Sequence, residues 1–193
     1  MMNVKEFFKR MALGLVLTSV PLVGGCGSNT NSWQEEVKLL DGRVITITQK
    51  RRYEKVYDGQ SSGNLAREFW VAFKLPEFGD QEITWHENLF PIIVNVHQGK
   101  LYMVGVPWTE LEFRQYGNPK PSYIGYRYES GQWKRISFNE IPVPIYDTNL
   151  LIAAELPSKV KRVSLELKAE ELTNERLRNN SKRIDPNYVE INY

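Results

Sequence analysis

Three side chains in this sequence are suited to acid–base or metal chemistry: His86, Glu87 and His97. The chain has 193 residues and only two histidines. If the strands that carry them pair, these three groups could serve as acid, base or ligand in a hydrolase. The spacing does not support a zinc helix, because His86-Glu87 lacks a second histidine four residues on. His97 flanks a turn and reads as solvated, and His86-Glu87 reads as the start of the loop leading to Pro91. A second pattern, Gly59-x-Ser61-x-Gly63, matches a nucleophile elbow in letters only. An elbow needs an apolar strand before it and a helix after it. Here Tyr53 to Asp58 precedes it among β-hairpins, so it reads as a polar surface turn. The single cysteine, Cys26, excludes an internal disulfide and a four-cysteine zinc site. No metal, no cofactor and no catalytic constellation is expected.

The residues leading to that cysteine are informative. Lys5, Lys9 and Arg10 form a basic start, and Met11 to Val23 is largely apolar. That run is short of the roughly 20 apolar residues a spanning helix needs, and it suits the apolar region of a secretory signal. Pro21, Gly24 and Gly25 then break the helix. Val23-Gly24-Gly25-Cys26 resembles the lipobox of bacterial lipoproteins: an aliphatic residue three before the cysteine, then two small ones. The resemblance implies recognition of Val23, Gly24 and Gly25 by the lipoprotein signal peptidase, cleavage after Gly25, and diacylglyceryl transfer to the Cys26 sulfur. It also implies a membrane partner through the acyl chains. Two or three chains on one residue hold far more firmly than one, which binds reversibly. Gly27, rather than an aspartate, follows the cysteine; in a Gram-negative cell the resemblance then favours the outer membrane.

Loss of residues 1–25 changes the charge. The chain has 25 basic and 23 acidic residues. Removing Lys5, Lys9, Arg10 and Glu6 leaves 22 of each, a neutral body with no reason to attract nucleic acid. Residues 26–32, small and polar after the cysteine, read as a tether of about 13 Å r.m.s. reach. A single β-rich domain is expected over residues 33–180, and a polar tail over 181–193.

The body carries mostly strand signals. Turn pairs Asp41-Gly42, Gln98-Gly99 and Ser130-Gly131 predict three two-residue hairpins, since a type I′ turn needs positive φ at both positions. Further strands are expected at Glu68 to Leu75 and near Ile83 to Trp85. The stretch Ile92 to Ile136 reads as a four-stranded meander. Its first hairpin is apolar on both faces and so belongs under cover. Lys50-Arg51-Arg52 reads as the solvated end of a strand. Asp147 is expected to cap a helix over Thr148 to Leu156, Val160 to Leu167 to form a strand, and Ala169 to Asn179 a second helix. The fold class is mainly β: antiparallel hairpins in a sandwich or partly open barrel, with two short C-terminal helices.

Aromatic residues make up 12% of the chain. Most suit a β core. Trp108, Phe113, Tyr116 and Tyr123 fall in a segment rich in proline and glycine, with Arg114, beside the third hairpin with Tyr126 and Trp133. Rigid loops bearing aromatics often form recognition surfaces. These seven are the candidate partner-binding residues. The expected function is a non-catalytic, membrane-tethered envelope lipoprotein that binds a protein or glycan. Two alternatives are an envelope hydrolase built on His86, Glu87 and His97, and a surface factor that excludes phage or conjugative entry. The anchor has a direct check. The intact mass of membrane-extracted protein should correspond to a chain beginning at Cys26 with added acyl mass; a bare thiol or a retained leader overturns the assignment.

Overall fold

The computed structural model describes residues 29–57, 62–152, 160–171 and 182–188. The leader, Cys26 and the Gly59 to Ser61 turn lie outside the described residues. One sheet contains β1 (Thr30–Lys38), β2 (Val44–Tyr57), β3 (Ser62–Phe73), β4 (Ile83–Glu87) and a short β9 (Arg162–Val163). Its order is β4-β3-β2-β1-β9. The other is a meander of β5 (Phe90–His97), β6 (Lys100–Val106), β7 (Ile124–Glu129) and β8 (Gln132–Ile136). All pairings are antiparallel except the two-residue β1/β9 contact. Two short helices, α1 (Glu110–Gln115) and α2 (Leu165–Glu171), complete the set. The fold is mainly β, and neither sheet closes into a barrel. Among the described residues α1 lies inside the segment 107–123 and α2 toward the C-terminus; residues 172–179 of the expected second helix lie outside the described residues.

Local chemistry explains the hairpins. His97 faces Lys100 and Glu129 faces Gln132, and all four turn residues have positive φ: Gln98 50°, Gly99 71°, Ser130 51° and Gly131 82°. These are the two-residue turns expected. The first hairpin differs. Leu39 N–H donates to the Arg43 carbonyl at 2.8 Å, so Leu40, Asp41 and Gly42 form a three-residue loop. Only Gly42 has positive φ, at 88°. The Asp41 carboxylate instead accepts from the Arg43 N–H at 3.0 Å, a local turn bond that favours this conformation. The register moves by one residue, placing Lys38 opposite Val44.

The two sheets enclose the main apolar core, and Trp33, Leu151 and Val163 form a second, smaller cluster. Phe69 meets Phe90 at 5.3 Å between ring centres, and Trp85 meets Tyr126 edge-on at 5.8 Å. Both faces of β5 are buried from Phe90 to Asn95, as its apolar pattern requires. Gly105 on β6 has no room for a side chain: a Cβ there would sit 2.8 Å from the Leu89 Cβ. Arg51 is a correction to the solvated-strand reading. It is fully buried, with its guanidinium 4.8 Å from the Trp33 ring centre and 4.5 Å from that of Phe90. The period of β2 turns it inward, and the aromatic faces receive the cation.

The C-terminal third departs most from expectation. Thr148 to Ile152 is not helical; residues 153–156 lie outside the described residues. The backbone N–H groups of Asn149 and Leu150 both donate to the Ile92 carbonyl at 3.2 Å. The Asn149 side chain pairs with Val94 in both directions, accepting at 3.0 Å and donating at 2.7 Å. Its amide also reaches the Lys38 carbonyl at 3.1 Å. These bonds satisfy the open edge of β5, and an extended backbone makes them. The expected strand shrinks to Arg162–Val163, and α2 starts at Leu165 because Ser164 caps it: its Oγ accepts from the Leu167 N–H at 3.1 Å. The tether reading is also too long, since Thr30 to Ser32 lie in β1. The tail is not loose over Lys182 to Tyr188. Ile184 is buried, and its N–H donates to the Tyr146 carbonyl at 2.9 Å.

A buried carboxylate ties these parts together. Glu35 on β1 is fully buried and accepts from the Gln49 amide at 2.7 Å, Leu151 N–H at 2.7 Å and Lys168 Nζ at 2.9 Å. Lys168 also donates to the Asn149 carbonyl at 2.8 Å. Lys168→Met leaves that carboxylate without its counter-charge, and a loss of about 3–5 kcal/mol in urea unfolding is expected. Adding Glu35→Gln should recover part of it. A single-variant loss below about 1 kcal/mol, the range of an exposed pair, would contradict the role assigned to this contact.

Candidate functional site

A cleft of about 340 Å³ opens where β6 leaves the second sheet. Phe90 and Ile92 of β5 form its floor, Val106, Pro107 and Trp108 one wall, and Arg183, Ile184 and Tyr188 the opposite wall. Tyr123, Thr148 and Ile152 complete it. Trp108 lies nearly parallel to Phe90, 4.7 Å between ring centres and 26° between planes. Tyr123 stands between Phe138 at 6.1 Å and Tyr188 at 6.0 Å, and its hydroxyl accepts from the Asp185 N–H at 3.3 Å. Arg183 is the cation at this cleft. It pairs with Asp147 and lies over the Tyr146 ring at 5.8 Å. Such a surface holds a partner by desolvation and ring stacking, with a charged group for orientation.

The segment that follows folds over the first sheet. α1 has Glu110 and Glu112 in its first turn and Arg114 in its last, matching the helix dipole. Glu112 is buried and accepts from Arg67 Nη1 at 2.9 Å and from the Thr109 hydroxyl. Arg67 marks the irregular step between β2 and β3, where Arg52 faces Glu68 and Tyr53 faces Ala66. Phe113 is half-buried, whereas Arg114 is exposed and pairs with Glu110.

Tyr116 closes a second group. Its hydroxyl donates to Glu87 Oε2 at 2.7 Å, and the Arg135 guanidinium lies over its ring and donates to its carbonyl at 3.0 Å. Tyr126, buried, reaches the same hydroxyl and carboxylate. Burial first, and then the Glu87 carboxylate, holds both phenols well above the usual tyrosine range. Trp133 packs on Tyr128 and donates to the Thr84 carbonyl at 3.0 Å, joining the edge strands β8 and β4 of the two sheets.

The seven candidate residues therefore divide. Trp108 and Tyr123 line the cleft; Tyr116 and Tyr126 meet at Glu87; Phe113 and Arg114 ride on α1; Trp133 seals an edge. Phe90, Arg183 and Tyr188, which also line the cleft, carry no such signal in the sequence. Phe90 reads as one more apolar strand residue, and nothing in the polar tail marks Arg183 or Tyr188 as neighbours of Trp108.

His86, Glu87 and His97 are not brought together. His86 stacks on Trp70 at 4.3 Å and 12°, with Nε2 3.5 Å from Glu68. Glu87, the next residue of β4, faces Tyr116, as strand alternation requires. His97 ends β5 in the other sheet. Among the described residues no group of three or more His, Cys, Asp or Glu is placed to hold a metal ion, and no helix is long and apolar enough to cross a membrane. Comparison with protein-family models, curated proteins and solved structures finds no match for this chain.

The tyrosine pair has a pH signature. A phenol whose folded pKa is raised keeps its full stabilising contribution below the unfolded value near 10 and loses it as pH rises beyond. Each contributes a limiting slope of about 1.4 kcal/mol per pH unit there. Urea unfolding from pH 8 to 11 should show a shallower alkaline loss for Tyr126→Phe than for the parent. Equal slopes would mean that Tyr126 ionises freely in the folded protein.

Proposed function

We propose that this chain is a lipid-anchored envelope protein of a bacterium, and that its body binds a protein or glycan of the envelope without catalysing a reaction on it. The anchor rests on Val23-Gly24-Gly25-Cys26 after a basic start and an apolar run. The observation that carries the binding reading is the aromatic cleft at Trp108, apolar within and bordered by a cation. Stacked rings with a nearby guanidinium favour the flat, weakly polar face of a sugar or an aromatic and acidic stretch of protein. The neutral body offers no general attraction for nucleic acid. If the cell is Gram-negative, the residue after Cys26 favours the outer membrane.

The test uses the full, membrane-extracted chain with a photoreactive amino acid in place of Tyr188, on the cleft wall. Irradiation in intact envelopes should yield an adduct that Trp108→Ala abolishes. That substitution removes the stacked pair with Phe90, worth about 0.5–1.5 kcal/mol beyond the area the ring buries, so the variant's unfolding transition is measured beside the parent's and adducts are compared only where it is folded. Adducts unchanged by Trp108→Ala, or none beyond lipid together with turnover in a hydrolysis screen, would overturn the binding reading.

A further inference from the structure

We infer that the partner of the Trp108 cleft is an extended protein segment, which adds beside Arg183 as an antiparallel strand and carries an acidic residue between two large apolar ones. This rests on the binding reading of the cleft and names the class of its partner. The backbone of the tail sets the arrangement. Thr148 N–H donates to the Lys182 carbonyl and Ile184 N–H to the Tyr146 carbonyl, both at 2.9 Å, around the facing residues Asp147 and Arg183. In an antiparallel ladder such a pair is the non-hydrogen-bonded kind, and its own N–H and C=O groups point away from each other. Those of Arg183 therefore point to the outer side of the tail. Among the described residues they make no backbone bond. An edge of this kind receives another strand through main-chain bonds, and side-chain pockets beside it give specificity.

The side chains around Arg183 say what that strand carries. Arg183 and Asp147 pair on one face with both side chains at least half exposed. A guanidinium has five donors, and this one uses them on Asp147 and, at 3.4 Å, on the Val143 carbonyl. A residue opposite Arg183 in the added strand stands on the same face, where a carboxylate meets the remaining donors. Its two neighbours project to the other face. That is the face of Ile184, which is buried and lines the cleft with Phe90 and Ile92. A large apolar side chain is desolvated there. Val143, 60% exposed, continues the apolar surface past the guanidinium. A sugar offers no backbone to match Arg183, and its hydroxyls would lose water against Phe90, Ile92 and Ile184 without new partners.

The test titrates the full, membrane-extracted chain with a fluorescein-labelled peptide, Gly-Ser-Thr-Phe-Glu-Phe-Thr-Ser-Gly, read by anisotropy. Saturable binding is expected. Arg183→Ala removes the charged donor and should weaken it about tenfold. Arg183→Pro removes the outward N–H as well and should weaken it about fivefold further. Neither substitution removes the inward bonds of Lys182 and Ile184. A peptide N-methylated at its glutamate reads the same main-chain contact on the unaltered protein and should lose a similar factor. Urea unfolding checks both variants, and where Arg183→Pro undocks the tail the two peptides decide. Equal affinity of the methylated and parent peptides, equal affinity of the two folded variants, displacement by the N-acetylglucosamine trisaccharide, or no saturable binding overturns the added strand. The cross-link at Tyr188 separates this from the cleft reading. A Trp108-dependent adduct that withstands proteinase K overturns the strand and leaves the cleft as a binding site. Absence of any Trp108-dependent adduct overturns both.

Discussion

A carboxylate with no access to water organises this protein. Glu35 sits mid-strand in β1, and its charge is compatible with burial only because donors converge on it from β2, from Leu151 and from α2. Removing any of those partners would strand a charge in a low-dielectric interior. The constraint acts outward. Lys168 is needed, so α2 must pack against β1. The Leu151 amide is needed, so the chain must return beside the first sheet. Lys168 then fastens that return by donating to the Asn149 carbonyl. A polar contact spanning 133 residues thus sets where the C-terminal third lies.

The same return segment solves the edge problem of the second sheet. β5 is an edge strand, and an unsatisfied edge invites pairing with other chains. Asn149 covers it with its backbone and its side chain, while Asn95 reaches back to accept from the Leu40 N–H at 2.8 Å. On the opposite side, Trp133 links β8 to β4. Side chains thus hold the sheets together without closing them. The Trp108 cleft lies between the end of β6 and the docked tail, so its far wall exists only because the C-terminal segment is held there.

The parts of the fold legible in sequence were those decided within a few residues. Gln98-Gly99 and Ser130-Gly131 set their turns, and the cross-strand partners of both hairpins followed directly. Asp41-Gly42 misled because aspartate had a competing option: its carboxylate took the Arg43 amide, and one extra residue joined the loop. Arg51 looked solvated beside Lys50 and Arg52, yet strand alternation turns it toward Trp33 and Phe90. Half of the candidate site was visible, as aromatics in a proline-rich segment. Arg183 and Tyr188 were not, because their polar surroundings give no sign of a neighbour some 75 residues earlier.

By itself the sequence determined the β character, the meander from Ile92 to Ile136, two of the three hairpin registers and the neutral charge of the chain beyond residue 25. Each follows from side-chain period, turn conformation or counting, which need no distant partner. Tertiary structure decided the rest: the buried Glu35–Lys168 contact, the extended course of Thr148 to Ile152, the docked Ile184 and the walls of the cleft. The physical reason is common to all four. A buried charge or an open strand edge overrides local preference, and which residue satisfies it depends on what the folded chain brings within hydrogen-bonding distance.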